Sequence, residues 1–490
     1  MTRLEAFKPG TTWVSFRGTG PSPVDPEPVA GDHFLYSSAD ITEFRKRMSG
    51  AGPYYSTGDA GHGGVNSPGD GERALSYAQT FIQDPSPSYW VTPVPMSSGS
   101  PWPGESGGTG PHIRWMRAAW CYMTIPSHPS RNAWFNETKK LLLWTARRPE
   151  HNFENETNYP YAGFGGHAPS PIFALSGWMH RWLKARDMLG RSSFTSAENA
   201  ELDRWFYGCA NYMLQFIHGR AGMGREIPNR LSHDYTATSA NMNGTMAQVA
   251  YDGSPNICSS GWYHTNRHAS MASYGALAAN YLKYHGSSPT PSGIAPYGYL
   301  TVDQMLTHSR AYAEEFIVHN LAAGGWTGDY HRGPLANSST QGWVYAGQQI
   351  SGLVAMAKSF AARGDNVLYN FATTDGNLSM GGSPNNISGV SGFPSKNLRY
   401  AVWMYTRYVN DGWGRRLFGN PLATSNAYRD VLSAASLSKV YPSDTFLAAA
   451  WRRSGSGFPN YPSSPESIGR FTSLDGDQGK YVGLIEVGGL

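Results

Sequence analysis

From about residue 112 onward, apolar residues return every three or four positions in one segment after another, and no other feature limits the possible folds as tightly. Ile113, Met116, Trp120 and Met123 keep this spacing. So do Trp134, Thr138, Leu141 and Leu142, and then Leu175, Met179, Trp182 and Leu189. A period of this kind lines apolar side chains along one face of a helix. Two helix entrances are also legible. Thr195-Ser196-Ala197-Glu198 and Thr301–Gln304 read as capping boxes, in which a threonine hydroxyl and a Glu or Gln side chain satisfy each other's free backbone N–H groups. The first opens a helix through Leu202, Trp205, Phe206, Cys209, Met213 and Phe216, and the second opens one through Met305, Tyr312 and Phe316. The pattern predicts further helices over Met271–Leu282, from about 342 to 362, over roughly 396–409, and at 443–452.

Strand-like alternation is missing before the C-terminal tail, where residues 465–490 can add a short strand pair. Serial helices joined by loops rich in the chain's 57 glycines and 33 prolines predict an all-α fold of stacked antiparallel hairpins with long ordered loops. No fixed-period repeat is visible, which weighs against the common solenoid families. The 490 residues read as one domain: a loop-rich N-terminal extension over 1–110, a helical core over 111–420, and a C-terminal helix and tail over 421–490.

Charge excludes little. Lys+Arg is 39 against 35 Asp+Glu, a net +4, too weak a balance to predict a nucleic-acid partner and compatible with an anionic polymer. No stretch is long and apolar enough to predict a membrane span. Aromatic residues make up 13% of the chain, either as a large core or as platforms for sugar rings. Cys121, Cys209 and Cys258 have no metal-ligand spacing, and the first two sit in apolar helical patterns as small hydrophobes.

Polar residues gather at a few places. Tyr263-His264-Thr265-Asn266-Arg267-His268 stands directly before the predicted helix Met271–Leu282, where the free N–H groups of a first turn favour an anion. Gly325-Trp326-Thr327-Gly328-Asp329-Tyr330-His331-Arg332-Gly333 precedes Gln341-Gly342-Trp343-Val344-Tyr345, at the start of another apolar helix. His151–Tyr159, which includes Asn158 and Tyr159, is rich in amides and carboxylates that suit sugar hydroxyls, calcium or an ordinary hydrogen-bonded loop. Arg225–His233, with Arg230, is either a subsite wall or a polar lid. HExxH, Walker and GxSxG signatures do not occur, nor does a Rossmann fingerprint between a strand and a helix.

The order of these features resembles the alginate-lyase superfamily of (α/α)-toroid polysaccharide lyases over roughly residues 110–410. Trp144–Phe153, with its Arg-Arg-Pro-Glu-His-Asn-Phe, is similar to that family's helix-then-loop entry. Phe194–Met213 is similar to its Phe-Thr…Glu…Trp-Phe helix. Asn266-Arg267-His268 falls where the family carries Asn-Asn-His, and Asp329–Arg332 followed by Tyr345 falls where it carries an acidic residue, an arginine and a helical Tyr-His. The resemblance implies an (α/α) toroid, an incomplete barrel of antiparallel helix hairpins. It also implies β-elimination on a uronic-acid polymer such as alginate or a glucuronan. Asn266 and His268 then sit on the carboxylate side, Arg332 clamps substrate, and Tyr345 shuttles the proton. Two positions depart from the family: Arg267 replaces the second Asn, and Ala346 follows Tyr345. Tyr330 therefore remains a rival to Tyr345, and His264 and His331 remain rivals to His268. Arg267, Trp326, Asn158, Tyr159 and Arg230 complete the expected substrate-binding set.

The chemistry asks for these residue types. Donors that neutralise a uronate carboxylate make the C5 proton removable, and amide, imidazole and guanidinium groups all serve. A tyrosine made acidic by a nearby cation can take that proton. The scheme requires neither metal nor cofactor. The expected partner is an anionic polysaccharide, with no nucleic acid and no membrane. A polymer substrate places the action outside the producing cell, extracellular or periplasmic, although MTRLEAFKPGTTW lacks the apolar core of a signal peptide. Two other functions fit the same sequence. An (α/α)-barrel glycoside hydrolase would need two flanking carboxyl groups, drawn from Glu154, Asp234, Asp252 and Asp329. A glycan-binding surface or virion protein would use the aromatic loops without chemistry.

Overall fold

The computed structural model describes residues 31–46, 48, 70–83, 114–154, 170–217, 266–289, 299–317, 321, 327, 341–372 and 396–402. These residues are mostly helical. Among them no strand occurs, only two isolated bridges, Leu321 with Thr327 and Ala372 with Asn397. The helices are α1 Ser38–Lys46, α2 Asp70–Gln83, α3 Arg114–Thr124, α4 Arg131–Ala146, α5 Ser170–Leu189, α6 Ser196–Ile217, α7 Asn266–Tyr284, α8 Val302–Glu315, α9 Gln341–Ala361 and the single turn α10 Val367–Asn370. The expected strand pair at 465–490 and the helix at 443–452 lie outside the described residues, as does Cys258. Of the helix expected over 396–409, residues 398–402 are helical.

Helices that are buried all round alternate along the chain with helices that are buried on one face. Every described side chain of α5 from Leu175 to Leu189 is buried, as is α7 from His268 to Leu282 and α9 from Ala346 to Ala357. By contrast α4 buries Trp134, Thr138, Leu141 and Leu142 while Asn136 and Lys140 face water, and α8 exposes Asp303, Gln304 and Thr307. An amphipathic stripe needs one apolar neighbour, whereas an all-round buried helix needs neighbours on every side. The fold is therefore layered, with α3, α5, α7 and α9 inside and α4, the first half of α6 and α8 outside.

Side-chain contacts fix the directions. Ser176 bonds Ser270, and one turn further along both helices His180 meets the edge of Tyr274, so α5 and α7 run parallel. Asn266 bonds Gln348 and Asn280 bonds Ser359, so α7 and α9 are parallel as well. Outer helices return antiparallel. On α4, Arg131 reaches the Tyr122 carbonyl and Thr138 reaches that of Trp115. On α6, Asn199 lies against Arg186 and Trp205 against Trp178. Lys283 near the end of α7 pairs with Asp303 at the start of α8, at 2.8 Å.

One continuous hydrophobic core runs through all of this. Its centre is a tryptophan nest: Trp115 stacks on Trp182 with ring centroids 3.7 Å apart, and Trp178 and Trp205 meet Trp182 edge-on. These aromatics are core. Truncating one such ring costs about 3–5 kcal/mol. Cys121 and Cys209 are buried free thiols within the core, as expected.

Both predicted capping boxes form. Thr301 accepts from the Gln304 backbone while the Gln304 side chain accepts from the Thr301 N–H. Thr195 and Glu198 exchange the equivalent bonds at 2.8 and 3.2 Å.

Within the stretch 1–110 the described residues form α1 and α2. Their apolar sets are short (Ile41, Phe44 and Met48; Ala74, Ala78 and Phe81) and partly alanine, so the period is weak until the partner is present. Phe44 tilts against Trp120 at 4.8 Å, and Tyr77 of α2 takes the Arg117 guanidinium over its ring at 4.0 Å. One expectation needs correction, that for Asn266-Arg267-His268. These residues do not precede their helix but form the first turn of α7.

Candidate functional site

Asn266 and His268 are buried at 1% and 3% exposure although they open a helix. Helix starts normally leave polar groups in water, because the first turn has N–H groups without intrahelical partners. Here α9 covers them. The Asn266 side-chain amide donates to Gln348 Oε1 across the α7–α9 seam. On the α5 side, the hydroxyls of Ser176 and Ser270 are hydrogen-bonded to each other. The N-terminal halves of three parallel inner helices thus hold a buried polar belt of Ser176, His180, Asn266, His268, Ser270 and Gln348.

Small residues let α7 and α9 approach this closely. A Cβ added at Gly352 would meet the Ala269 carbonyl oxygen at 2.9 Å and the Ala269 Cβ at 3.2 Å. Gly275 does the same for α6 against α7, where a Cβ would fall 2.7 Å from Leu214. Gly352 lies one turn after Gln348, so the spacing it permits brings Gln348 within reach of Asn266.

The belt is not fully satisfied. Gln348 Nε2 is buried and has no hydrogen-bond partner among the described residues, and Ser273 Oγ on α7 shares that state. A buried amide donor left unpaired costs on the order of 1–3 kcal/mol, so each such group calls for an explanation. Two cations neighbour His180 on α5. His180 lies well below the usual histidine range through burial first and then Lys184, with Arg181 adding to them against a contribution from the Ser270 backbone. Arg181 and Lys184 are themselves buried on the same helix.

Position 345 belongs to the second turn of α9, one turn before Gln348, and Arg267 lies between Asn266 and His268 in the first turn of α7. The helices thus gather Asn266, Arg267, His268 and Tyr345 at neighbouring ends of two packed elements. His264, Trp326, Tyr330, His331, Arg332, Asn158, Tyr159 and Arg230 lie outside the described residues, as do Asp234, Asp252 and Asp329.

The described part of the amide-rich stretch after α4 is structural. His151 closes a short 3-10 turn and donates from Nδ1 to the Thr145 carbonyl at 2.9 Å. Burial pushes its pKa down to about 4, with Arg148 lowering it further against that raising bond. Glu154 is held by both arms of Arg204. A cleft of about 560 Å³ opens here, lined by Arg147, Asn152, Glu154, Glu201 and Arg204 among others. Its arginines are engaged, since Arg147 forks onto Glu201 at 2.8 and 2.9 Å and Arg204 onto Glu154. Among the described residues no group of three or more His, Cys, Asp or Glu side chains is placed to hold a metal ion.

Sequence reasoning missed Gln348, His180, Ser176 and Ser270. A signal was present for His180: in Trp178-Met179-His180-Arg181-Trp182-Leu183-Lys184, charged residues fall on the same faces as tryptophans, so α5 has no solvent side. Gln348 carried no such mark. Comparison of the chain with family models, with curated proteins and with solved structures finds no match.

Proposed function

We propose that this chain is a polysaccharide lyase that cleaves a uronic-acid-containing polymer by β-elimination. The observation that carries it is the convergence of an amide and an imidazole, Asn266 and His268, in the buried first turn of α7, beside the turn of α9 that follows Tyr345. Around them the alternation of buried parallel helices with one-faced antiparallel ones supports an (α/α) toroid, in which inner helices supply the walls of a cleft.

In the proposed reaction the uronate carboxylate lies against Asn266, Arg267 and His268. Their donors, with the positive end of α7, stabilise the negative charge that builds on the carboxylate as the C5 proton leaves. Tyr345 as phenolate takes that proton. The C5–H electron pair becomes the C4–C5 double bond, the C4–O4 bond breaks, and the now protonated Tyr345 gives its proton to the departing oxygen. Arg332 holds the substrate carboxylate, and Tyr330 competes with Tyr345 for the role of base. A hydrolase needs two free carboxyl groups about the bond. Of the carboxylates that could serve one, Glu154 is tied to Arg204. An anionic polysaccharide is the proposed partner, met outside the producing cell. Among the described residues no helix is long and apolar enough to cross a membrane.

The direct test is ultraviolet absorbance with time on a panel of polyuronates. A lyase makes a conjugated 4,5-unsaturated end, so absorbance rises on at least one polymer. New reducing ends without absorbance would establish a hydrolase instead, and an intact panel would leave a glycan-binding protein.

A further inference from the structure

We infer that Gln348 is a substrate-contacting residue whose side-chain N–H donates to the uronate carboxylate, forming with Asn266 and His268 one carboxylate subsite across the α7–α9 seam. This assignment rests on the lyase function proposed above and names the ligand group its site takes.

Three observations carry it. Gln348 is 3% exposed, yet its Nε2 has no partner among the described residues, while its Oε1 is taken by the Asn266 amide. A half-satisfied buried amide is costly in a structural role and useful in a binding one, because its second donor is held ready. The bond from Asn266 holds the Gln348 amide by its oxygen and leaves Nε2 as the unpaired donor. Finally, the surroundings suit an anion. The first turn of α7, where Asn266 sits, carries backbone N–H groups without intrahelical partners, and these favour an anion. Neutral amides also avoid the expense of burying a further cation, and two of them can share one carboxylate through separate oxygens.

The chain at full length provides the test, through two readouts on wild type, Gln348→Glu and Gln348→Met. One is calorimetric binding of short oligouronates and of the same oligosaccharides with their carboxyls reduced to alcohols. The other is ultraviolet absorbance during turnover. Circular dichroism melts identify any variant that has lost its fold, and Gln348→Met, similar in volume and uncharged, stands in if Gln348→Glu has. The expected result is a loss of oligouronate affinity of about tenfold or more in both variants, larger for Glu, with affinity for the reduced sugars within about threefold of wild type. Equal effects on charged and reduced sugars, or none on either, overturn the role of Gln348 while leaving a lyase in place if wild type shows absorbance. Selective loss of oligouronate binding without absorbance from any protein upholds the subsite and overturns the lyase. Failure of wild type to bind any oligouronate overturns both.

Discussion

The two ends of the parallel inner helices use their polar side chains differently. At the C-terminal ends several groups have a clear structural duty. Asp187 accepts the backbone N–H groups of Phe34 and Leu35 at 2.7 and 2.8 Å, and His33 bonds the Asp187 carbonyl at 2.6 Å. Arg191 forks onto Asp203, and Asn280 joins Ser359 to Arg363 across α7 and the end of α9. Gly190, at φ +79°, ends α5 in a left-handed turn where a Cβ would strike the Asp32 carboxylate. This end fastens the N-terminal segment to the core. At the N-terminal ends lie Asn266, His268 and the half-satisfied Gln348. Both ends are buried, so burial of polar groups alone does not mark a site.

The contrast predicts that substitutions at one end change chemistry and those at the other change stability. His268→Ala should lower turnover on the responsive polyuronate by about 10²–10⁴-fold with its melting curve nearly intact. Near-normal rates would remove His268 from the site and erase the contrast. Tyr345→Phe against Tyr330→Phe identifies the base in the same assay, since only the true base loses turnover on that scale.

Asp187→Ala should do the reverse. It leaves two buried N–H groups without an acceptor and should cost roughly 4 kcal/mol in chemical denaturation, while oligouronate affinity stays near wild type. Loss of affinity without loss of stability would show that the fastened end also shapes the cleft.

The histidines give a pH test. His151 is depressed to about 4, chiefly by burial. His285, beside the fastened end, is also depressed to about 4, by burial and then Arg191 and Arg186. A histidine with a lowered folded pKa binds its proton more readily unfolded, so its contribution is present above pH 6.5 and is lost as pH falls toward 4. His151 alone accounts for roughly 3 kcal/mol of that loss. Denaturation midpoints measured from pH 7 to 4 should fall, and His151→Gln should flatten the slope. An unchanged slope would mean that His151 is not buried neutral.

Gly352→Ala should cost about 2–3 kcal/mol, because the added Cβ meets the Ala269 backbone and the two helices must move apart. Its diagnostic is the binding assay: pushing α7 from α9 separates Asn266 from Gln348, so affinity falls beyond what stability explains.

Helical class was legible because it depends on near-neighbour spacing. Trp134, Thr138 and Leu141 mark one face of α4 whatever lies beyond it, and the boxes at Thr195 and Thr301 are four-residue events that need no partner. Asn266 and His268 were legible as members of one polar cluster, but the helix start was misplaced by a few residues, because a polar first turn reads as loop until a neighbour buries it. The short helices α1 and α2 were hidden for a related cause, since Ala74 and Ala78 become apolar contacts only against a partner helix.

By itself, then, the sequence determined an all-α chain of capped, periodic helices and the polar residue types at the start of α7. Only the tertiary structure decided which helices lie inside, that α5, α7 and α9 run parallel, and that Gln348 meets Asn266. These facts join residues some eighty positions apart. Their pairing is set by packing, through the close approach that Gly352 permits, and packing leaves no local period in the sequence.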